Sequence, residues 1–149
     1  MILNSDYRDI LRALSERKVK FLLVGAYAMA AHGYPRSTMD IDLWVMPDPE
    51  NARLVFKALE DFGAPLGGLS PEDLQIEGIV FQIGVAPRRI DILTFADGLK
   101  FEDAYSHSNI VEIDAIPVHI LSITDLITNK RSTGRTKDLA DAELLEEGR

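Results

Sequence analysis

The sequence predicts an α+β fold, a β-sheet flanked by helices. Three observations carry this. Runs of apolar and β-branched residues at 21–24, 39–45, 79–85 and 89–95 have strand length and composition. Segments 5–18 and 50–62 place their apolar residues along one helical side. Glycine and proline mark the junctions between them.

The elements follow in order. Segment 5–18 has Tyr7, Ile10, Leu11 and Leu14 at helical spacing, with Asn4 or Ser5 as cap. Residues 21–24, FLLV, form a buried strand that stops at Gly25. The small-residue stretch 26–31 is a short helix with Gly33 just past its end, and Tyr34-Pro35 stops it. Residues 39–45 are a second strand. Pro47-Asp48-Pro49 starts a helix over 50–62 with Leu54, Val55, Ala58 and Leu59 on one side. Residues 63–71 are loop, and 74–76 a short strand. Segments 79–85 and 89–95 pair as a hairpin through Ala86-Pro87-Arg88, and Asp97-Gly98 turns. Residues 101–106 make a helical turn, and 111–113 and 116–121 a second strand pair around Asp114-Ala115. Ser122 caps a helix to about 132, with Asp125 at its third position; Gly134 interrupts, and a last helix runs over about 136–146.

Composition sets the class. The length of 149 residues predicts one domain, 1–149, with a substantial core, and 46% hydrophobic with 27% charged residues is the balance of a soluble globular chain. The absence of cysteine excludes a disulfide framework, a thiol nucleophile and a zinc–cysteine site, and fits a reducing cytoplasm. MILNSDYRD lacks a basic segment followed by an apolar one, so no secretory leader is expected; the longest apolar run, 21–31, is too short to span a membrane. A net charge of −8 disfavours general nucleic-acid binding, which depends on neutralising phosphates. The partner is therefore a small molecule, a protein, or a nucleic acid held locally, and Lys130, Arg131, Arg135 and Lys137 are a local basic exception.

The chemistry concentrates in 21–45. Side chains alternate along a strand, so Asp40 and Asp42 share one face, with Cα atoms roughly 6–7 Å apart. That spacing suits one or two divalent cations bound together with phosphate oxygens. Gly25, at a strand-to-helix turn, lets the backbone approach a phosphate. Asp91 lies inside the apolar strand Ile90-Asp91-Ile92-Leu93, where a buried carboxylate is costly without a partner. Its ordinary partner would be Arg88 or Arg89. Arg36, Ser37 and Thr38 are of types that donate to phosphate oxygens. His32, His107 and His119 read as structural, Trp44 as packing, and Gly67-Gly68 lacks the Gly-Lys-Ser/Thr of a P-loop.

Gly25-Ala26, thirteen residues, then Asp40-Ile41-Asp42-Leu43 resembles the signature of the nucleotidyltransferase superfamily that includes DNA polymerase β. Arg36-Ser37-Thr38-x-Asp40-x-Asp42 is similar to its small bacterial branch of abortive-infection toxin nucleotidyltransferases. Ala26 departs from the usual Gly or Ser and removes a hydroxyl contact to phosphate. The resemblance implies the nucleotidyltransferase fold, a mixed sheet flanked by helices. It makes Asp91 the third carboxylate, which completes the metal set with Asp40 and Asp42 and activates the acceptor hydroxyl. The tail, with Lys130, Gly134-Arg135-x-Lys137-Asp138 and Asp141, is similar to the branch's basic and acidic helical motif. There Lys130 would touch the triphosphate or leaving pyrophosphate, and Asp138 would orient a neighbouring cation.

The implied activity is Mg²⁺- or Mn²⁺-dependent transfer of a nucleoside monophosphate from an NTP to RNA, protein or a small molecule. Gly25, Ala26, Arg36, Ser37, Thr38, Lys130 and Lys137 would bind the substrate. A toxin–antitoxin setting, with a partner protein or a homodimer completing the site, accords with the resemblance. Two alternatives remain: a non-catalytic nucleotide-binding or regulatory subunit of a two-protein system, and an antibiotic-modifying enzyme, whose cationic substrate would suit an acidic cleft.

Overall fold

The computed structural model describes residues 3–35, 40–85 and 88–149. Its elements in chain order are α1 (Ser5–Glu16), β1 (Phe21–Val24), α2 (Gly25–Ala31), β2 (Ile41–Val45), α3 (Pro49–Phe62), a 3₁₀ turn (Asp73–Gln75), β3 (Val80–Ile83), β4 (Ile90–Leu93), α4 (Phe101–Ser106), β5 (Asn109–Ile113), β6 (Ile116–Ile120), α5 (Ile123–Thr133) and α6 (Thr136–Glu147).

The strands form a six-stranded mixed sheet in the order β3-β4-β2-β1-β6-β5. β1 runs antiparallel to β2 and parallel to β6; β2 runs parallel to β4. The outer pairs, β3 with β4 and β5 with β6, are hairpins. β1 and β2 are central, and β1 is buried along its whole length. This is why it reads as a continuous apolar run rather than an alternating one. In β2 the alternation has a purpose: Ile41, Leu43 and Val45 point into the core on one face, and Asp42 and Trp44 lie on the other.

α1 packs on α3 and presents Tyr7, Ile10, Leu11 and Leu14 to the core. Burying each of these apolar groups contributes roughly 1.5–3 kcal/mol. Asn4 caps α1, its Oδ1 accepting from Tyr7 N at 2.9 Å. Asp48 caps α3 through Asn51 N at 2.7 Å, with Pro49 at the first helical position. The buried Asn51 amide then ties β1 to β2: its Oδ1 accepts from Lys20 N at 2.8 Å, and its Nδ2 donates to the carbonyls of Lys20 and Met46 at 3.0 Å. Ser122 caps α5 as expected, accepting from Asp125 N at 3.1 Å.

One element differs from expectation. Residues 74–76 are not a strand; the chain forms the 3₁₀ turn Asp73–Gln75 instead. Ser70 N donates to Asp73 Oδ2 at 2.9 Å and Asp73 N to Ser70 Oγ at 3.3 Å, a reciprocal cap that winds the segment. Leu74 is buried by that turn without strand pairing. Met39, predicted to begin the second strand, and Ala86 and Pro87 of the hairpin connection lie outside the described residues. Among the described residues no helix is long and apolar enough to cross a membrane.

Candidate active site

Asp42 of β2 and Asp91 of β4 are direct register partners on neighbouring parallel strands. Adjacent strands lie about 4.8 Å apart, so the two carboxylates stand side by side on one face. Asp40, one residue before β2, joins them from the strand's entry. Asp42 also pairs with Val24, the last residue of β1, so the following turn passes beside its carboxylate. That turn begins at Gly25, with φ +67°, and a Cβ there would collide with Asp42 Oδ2. Glycine is required twice over, for the left-handed backbone and for the space.

The three carboxylates open onto a cleft of about 460 Å³. Gly25, Ala26 and Met29 line it, with Lys130, Arg135, Lys137, Asp138 and Asp141 of the α5–α6 region and Arg89 from beside the aspartates. A hollow of about 400 Å³ shares Asp42, Asp91 and Lys130 with the cleft and extends along Val80, Leu93, Phe95 and Asn129. A third, of about 340 Å³, lies beside Trp44, Glu77 and Thr94 and contains none of the predicted site residues.

Charge in this cleft is heavily paired. Arg89 grips Asp91 with a fork, Nε to Oδ1 at 2.7 Å and Nη2 to Oδ2 at 3.2 Å. The same Nη2 lies 3.3 Å from Asp40 Oδ2, and Arg89 N donates to Asp40 Oδ1 at 3.0 Å. Tyr7, on α1, donates its hydroxyl to Arg89 O at 3.2 Å. Asp42 is left to share its surroundings with Asp91. Burial, then the charge of Asp91 and a hydrogen bond with it, then the charge of Asp40, push the Asp42 carboxyl up to about 7, with Arg89 opposing. The Asp42 carboxyl therefore holds its proton to a higher pH than an ordinary aspartate does.

In the same cleft, Lys130 Nζ lies between two carboxylates, 3.3 Å from Asp138 Oδ1 and 3.1 Å from Asp141 Oδ2. Thr133 donates to Asp138 Oδ2 at 2.6 Å, and Arg135 Nε stands 3.2 Å from the same oxygen. Burial pushes the Asp138 carboxyl up, but Thr133, Lys130 and Arg135 together hold it below the usual carboxylate range. The cations beside Asp138 are thus Arg135 and Lys130, one at each carboxylate oxygen. Lys137 is exposed, with no ion pair among the described residues.

Asp40, Asp42, Asp91, Gly25, Ala26, Lys130 and Lys137 are therefore brought together. Arg36, Ser37 and Thr38 lie outside the described residues. The expected salt bridge of Asp91 to Arg89 is present, and Asp91 also lies beside Asp42. Sequence reasoning missed Arg89 as part of this cleft, and Tyr7 as the buried group behind it that bonds the Arg89 carbonyl. The signal for Arg89 was its position two residues before Asp91, which places it on the same strand face. Tyr7 carried no signal, because it reads as one more apolar position of α1. Among the described residues no histidine lines the cleft: His32 Nε2 is 2.8 Å from Leu121 O, His107 Nδ1 is 3.4 Å from Asp125 Oδ2, and His119 Nδ1 is 2.8 Å from Ser108 Oγ. Trp44 packs edge-on against Phe101 with ring centroids 5.2 Å apart.

This topology recurs in solved structures. A Thermotoga maritima protein assigned to the nucleotidyltransferases superposes with a TM-score of 0.58 at 17% identity, over 98% of this chain and 94% of that one. The fold is the nucleotidyltransferase fold. The antibiotic-resistance factor ANT(2'')-Ia, an antibiotic nucleotidyltransferase, gives a TM-score of 0.57 at 17% identity, over 95% of this chain and 80% of its own. No family model and no curated protein sequence matches the chain. The nucleotidyltransferase fold thus rests on backbone geometry, with sequence likeness confined to short motifs.

Whether the site suits a divalent metal can be tested on its own atoms. The donors are carboxylate oxygens, the ligands Mg²⁺ and Mn²⁺ prefer. Asp42 and Asp91 are register partners and Asp40 lines the same cleft, so the oxygen donors converge. The residues therefore fit such an ion. Among the described residues, however, no three acidic or histidine side chains form a ready-made metal group. Arg89 engages both oxygens of Asp91 and one of Asp40.

Proposed function

We propose that this protein is a metal-dependent nucleotidyltransferase that moves a nucleoside monophosphate from an NTP to a nucleophilic acceptor and releases pyrophosphate. The observation that carries this is the register pairing of Asp42 with Asp91 beside Gly25, facing Lys130 and Lys137, within a nucleotidyltransferase fold. The chain, 1–149, would act as one catalytic unit.

Asp40, Asp42 and Asp91 would hold Mg²⁺ or Mn²⁺, which when bound supplies polarisation of phosphoryl oxygens and neutralises charge. The rest belongs to this chain's residues. The open backbone at Gly25 and Ala26 lets the triphosphate lie close to the sheet. Lys137, exposed and in no ion pair among the described residues, is suited to the outer phosphates. Lys130 is held rigidly by Asp138 and Asp141, so its charge faces the cleft without conformational loss on binding. Arg36, Ser37 and Thr38 would add donors from the segment before Asp40. Asp91, beside the hollow along Val80 and Phe95, would accept the acceptor's proton.

That second hollow is the acceptor side in this reading. Net charge −8 and the similarity to ANT(2'')-Ia favour a small cationic acceptor over an extended nucleic acid. A protein acceptor within a toxin–antitoxin pair is the other setting that the abortive-infection motifs support, with a partner chain or second copy completing the site.

Label transfer tests the proposal. Purified protein is incubated with each α-labelled NTP, Mg²⁺ or Mn²⁺ and a cell extract, beside a double Asp40→Ala, Asp42→Ala control. Label that moves onto RNA, protein or a small molecule and vanishes in the control establishes the class and identifies the acceptor. Metal-dependent nucleotide binding without transfer points to a regulatory subunit. Neither binding nor transfer removes the assignment.

A further inference from the structure

We propose that Arg89 is the resident cation of the carboxylate cluster, displaced by the divalent ion and then taken up by the triphosphate, so that metal and nucleotide binding are coupled through one side chain. This rests on the nucleotidyltransferase reading above.

Arg89 occupies the position a metal would need. Its guanidinium contacts Asp91 through both oxygens, at 2.7 and 3.2 Å, and reaches Asp40 at 3.3 Å. A divalent ion bound to the same oxygens at about 2.1 Å would be forced against the guanidinium, and two cations at that separation repel strongly. The two occupants therefore exclude one another.

The backbone of Arg89 is fixed while its side chain has room to leave. Its N–H donates to Asp40 at 3.0 Å, and its carbonyl accepts from Tyr7 Oη at 3.2 Å and Ile41 N at 3.0 Å. The side chain is 30% exposed and faces the cleft that Lys130 and Lys137 also line. Released, it swings about an anchored strand end into a space suited to phosphate. The planar fork that matches a carboxylate matches a phosphate equally well. Metal entry thus frees an anion-binding group, and a bound triphosphate draws that group away from the carboxylates. Each ligand raises the affinity of the other, as linkage requires.

The test uses Mn²⁺ and inorganic triphosphate as separate probes on the full chain. Mn²⁺ binding is measured by electron paramagnetic resonance, and triphosphate binding by calorimetry with EDTA present. Arg89→Met should bind Mn²⁺ alone about tenfold more tightly or better, because the competing cation is gone. Its triphosphate affinity should fall. Arg89→Lys, which cannot fork, should move the same way by less. Lys137→Met removes an equal charge from the same cleft. It should weaken triphosphate binding but shift Mn²⁺ affinity by less than about threefold, the residue of a screened long-range field. In the wild type, Mg²⁺ should move the Arg89 Nε–H resonance away from its hydrogen-bonded position, a readout that does not depend on any variant folding. Wild-type Mn²⁺ binding that neither Arg89 variant strengthens, with an unmoved Nε–H signal, would overturn the Arg89 proposal and leave the metal site intact. Absence of Mn²⁺ binding in every protein would overturn both.

Discussion

Asp42 and Asp91 come from separate stretches of the chain, yet they meet as direct partners across the parallel β2–β4 pair. Neighbouring strands fix them side by side more rigidly than loops would, and with Asp40 they give the cleft its acidic floor. Asp42→Asn or Asp91→Asn should lower label transfer by roughly 10³-fold or more, since charge placed by a rigid scaffold accounts for most catalysis of this kind. Circular dichroism should show the fold retained, because an amide is nearly isosteric with a carboxylate.

Gly25→Ala tests the close approach of the turn to Asp42. The added methyl meets Asp42 Oδ2 and forces a left-handed backbone on a residue that resists it. A loss of about 1–3 kcal/mol in chemical denaturation is expected, together with weakened Mn²⁺ binding. Gly67→Ala, where a Cβ meets nothing, is the matched control.

The pH dependence of stability should carry the signature of Asp42. Its folded value of about 7 lies above the ordinary 3.8. The native state therefore keeps a proton that the unfolded chain has released. Stability from this group is fully present below about pH 4 and is lost as pH rises through about 7, at no more than about 1.4 kcal/mol per pH unit. Melting in EDTA should fall over that window relative to Asp42→Asn, which lacks the group. Added Mg²⁺ should reverse the loss at the upper end, by binding the folded state alone.

Lys130 and Lys137 line the same cleft but should respond differently. Lys130→Met removes the ammonium from between Asp138 and Asp141 and should cost about 2–4 kcal/mol, as loss of one member of a buried ion network does. Lys137→Met touches no ion pair among the described residues and should change stability by less than about 0.5 kcal/mol, while still weakening nucleotide binding. Denaturation and nucleotide titration of the two variants separate scaffold from contact.

Much of this was legible in the chain. The caps at Asn4 and Ser122 are local hydrogen bonds between residues three apart, so sequence spacing reveals them; at Asp48 the sequence showed a helix start, and the structure adds the cap. The apolar runs of β1 and β2 and the Asp-x-Asp pair follow from a period of two. Residues 74–76 were misread because Leu and Ile suit a strand, whereas the Ser70–Asp73 cap, a polar feature just upstream, decided the turn. Arg89 was visible only as a salt-bridge partner of Asp91. Its reach to Asp40 depends on β2 and β4 lying side by side, which nothing local encodes.

The sequence by itself determined most of the kinds of element, though not the turn at 74–76 or every end, and the residue types of the candidate site: Gly25 at a turn, Asp40 and Asp42 on one face, Asp91 in an apolar strand, and a basic tail. These are consequences of short-range periodicity and backbone sterics. Tertiary structure alone decided which strands became neighbours. The parallel pairing of β1 with β6 precedes the α5–α6 pair that brings Lys130 to the cleft, and the pairing of β2 with β4 sets Asp91 beside Asp42. Such choices are made by the burial of whole faces between segments remote in the chain, a cooperative quantity that no local window of sequence contains.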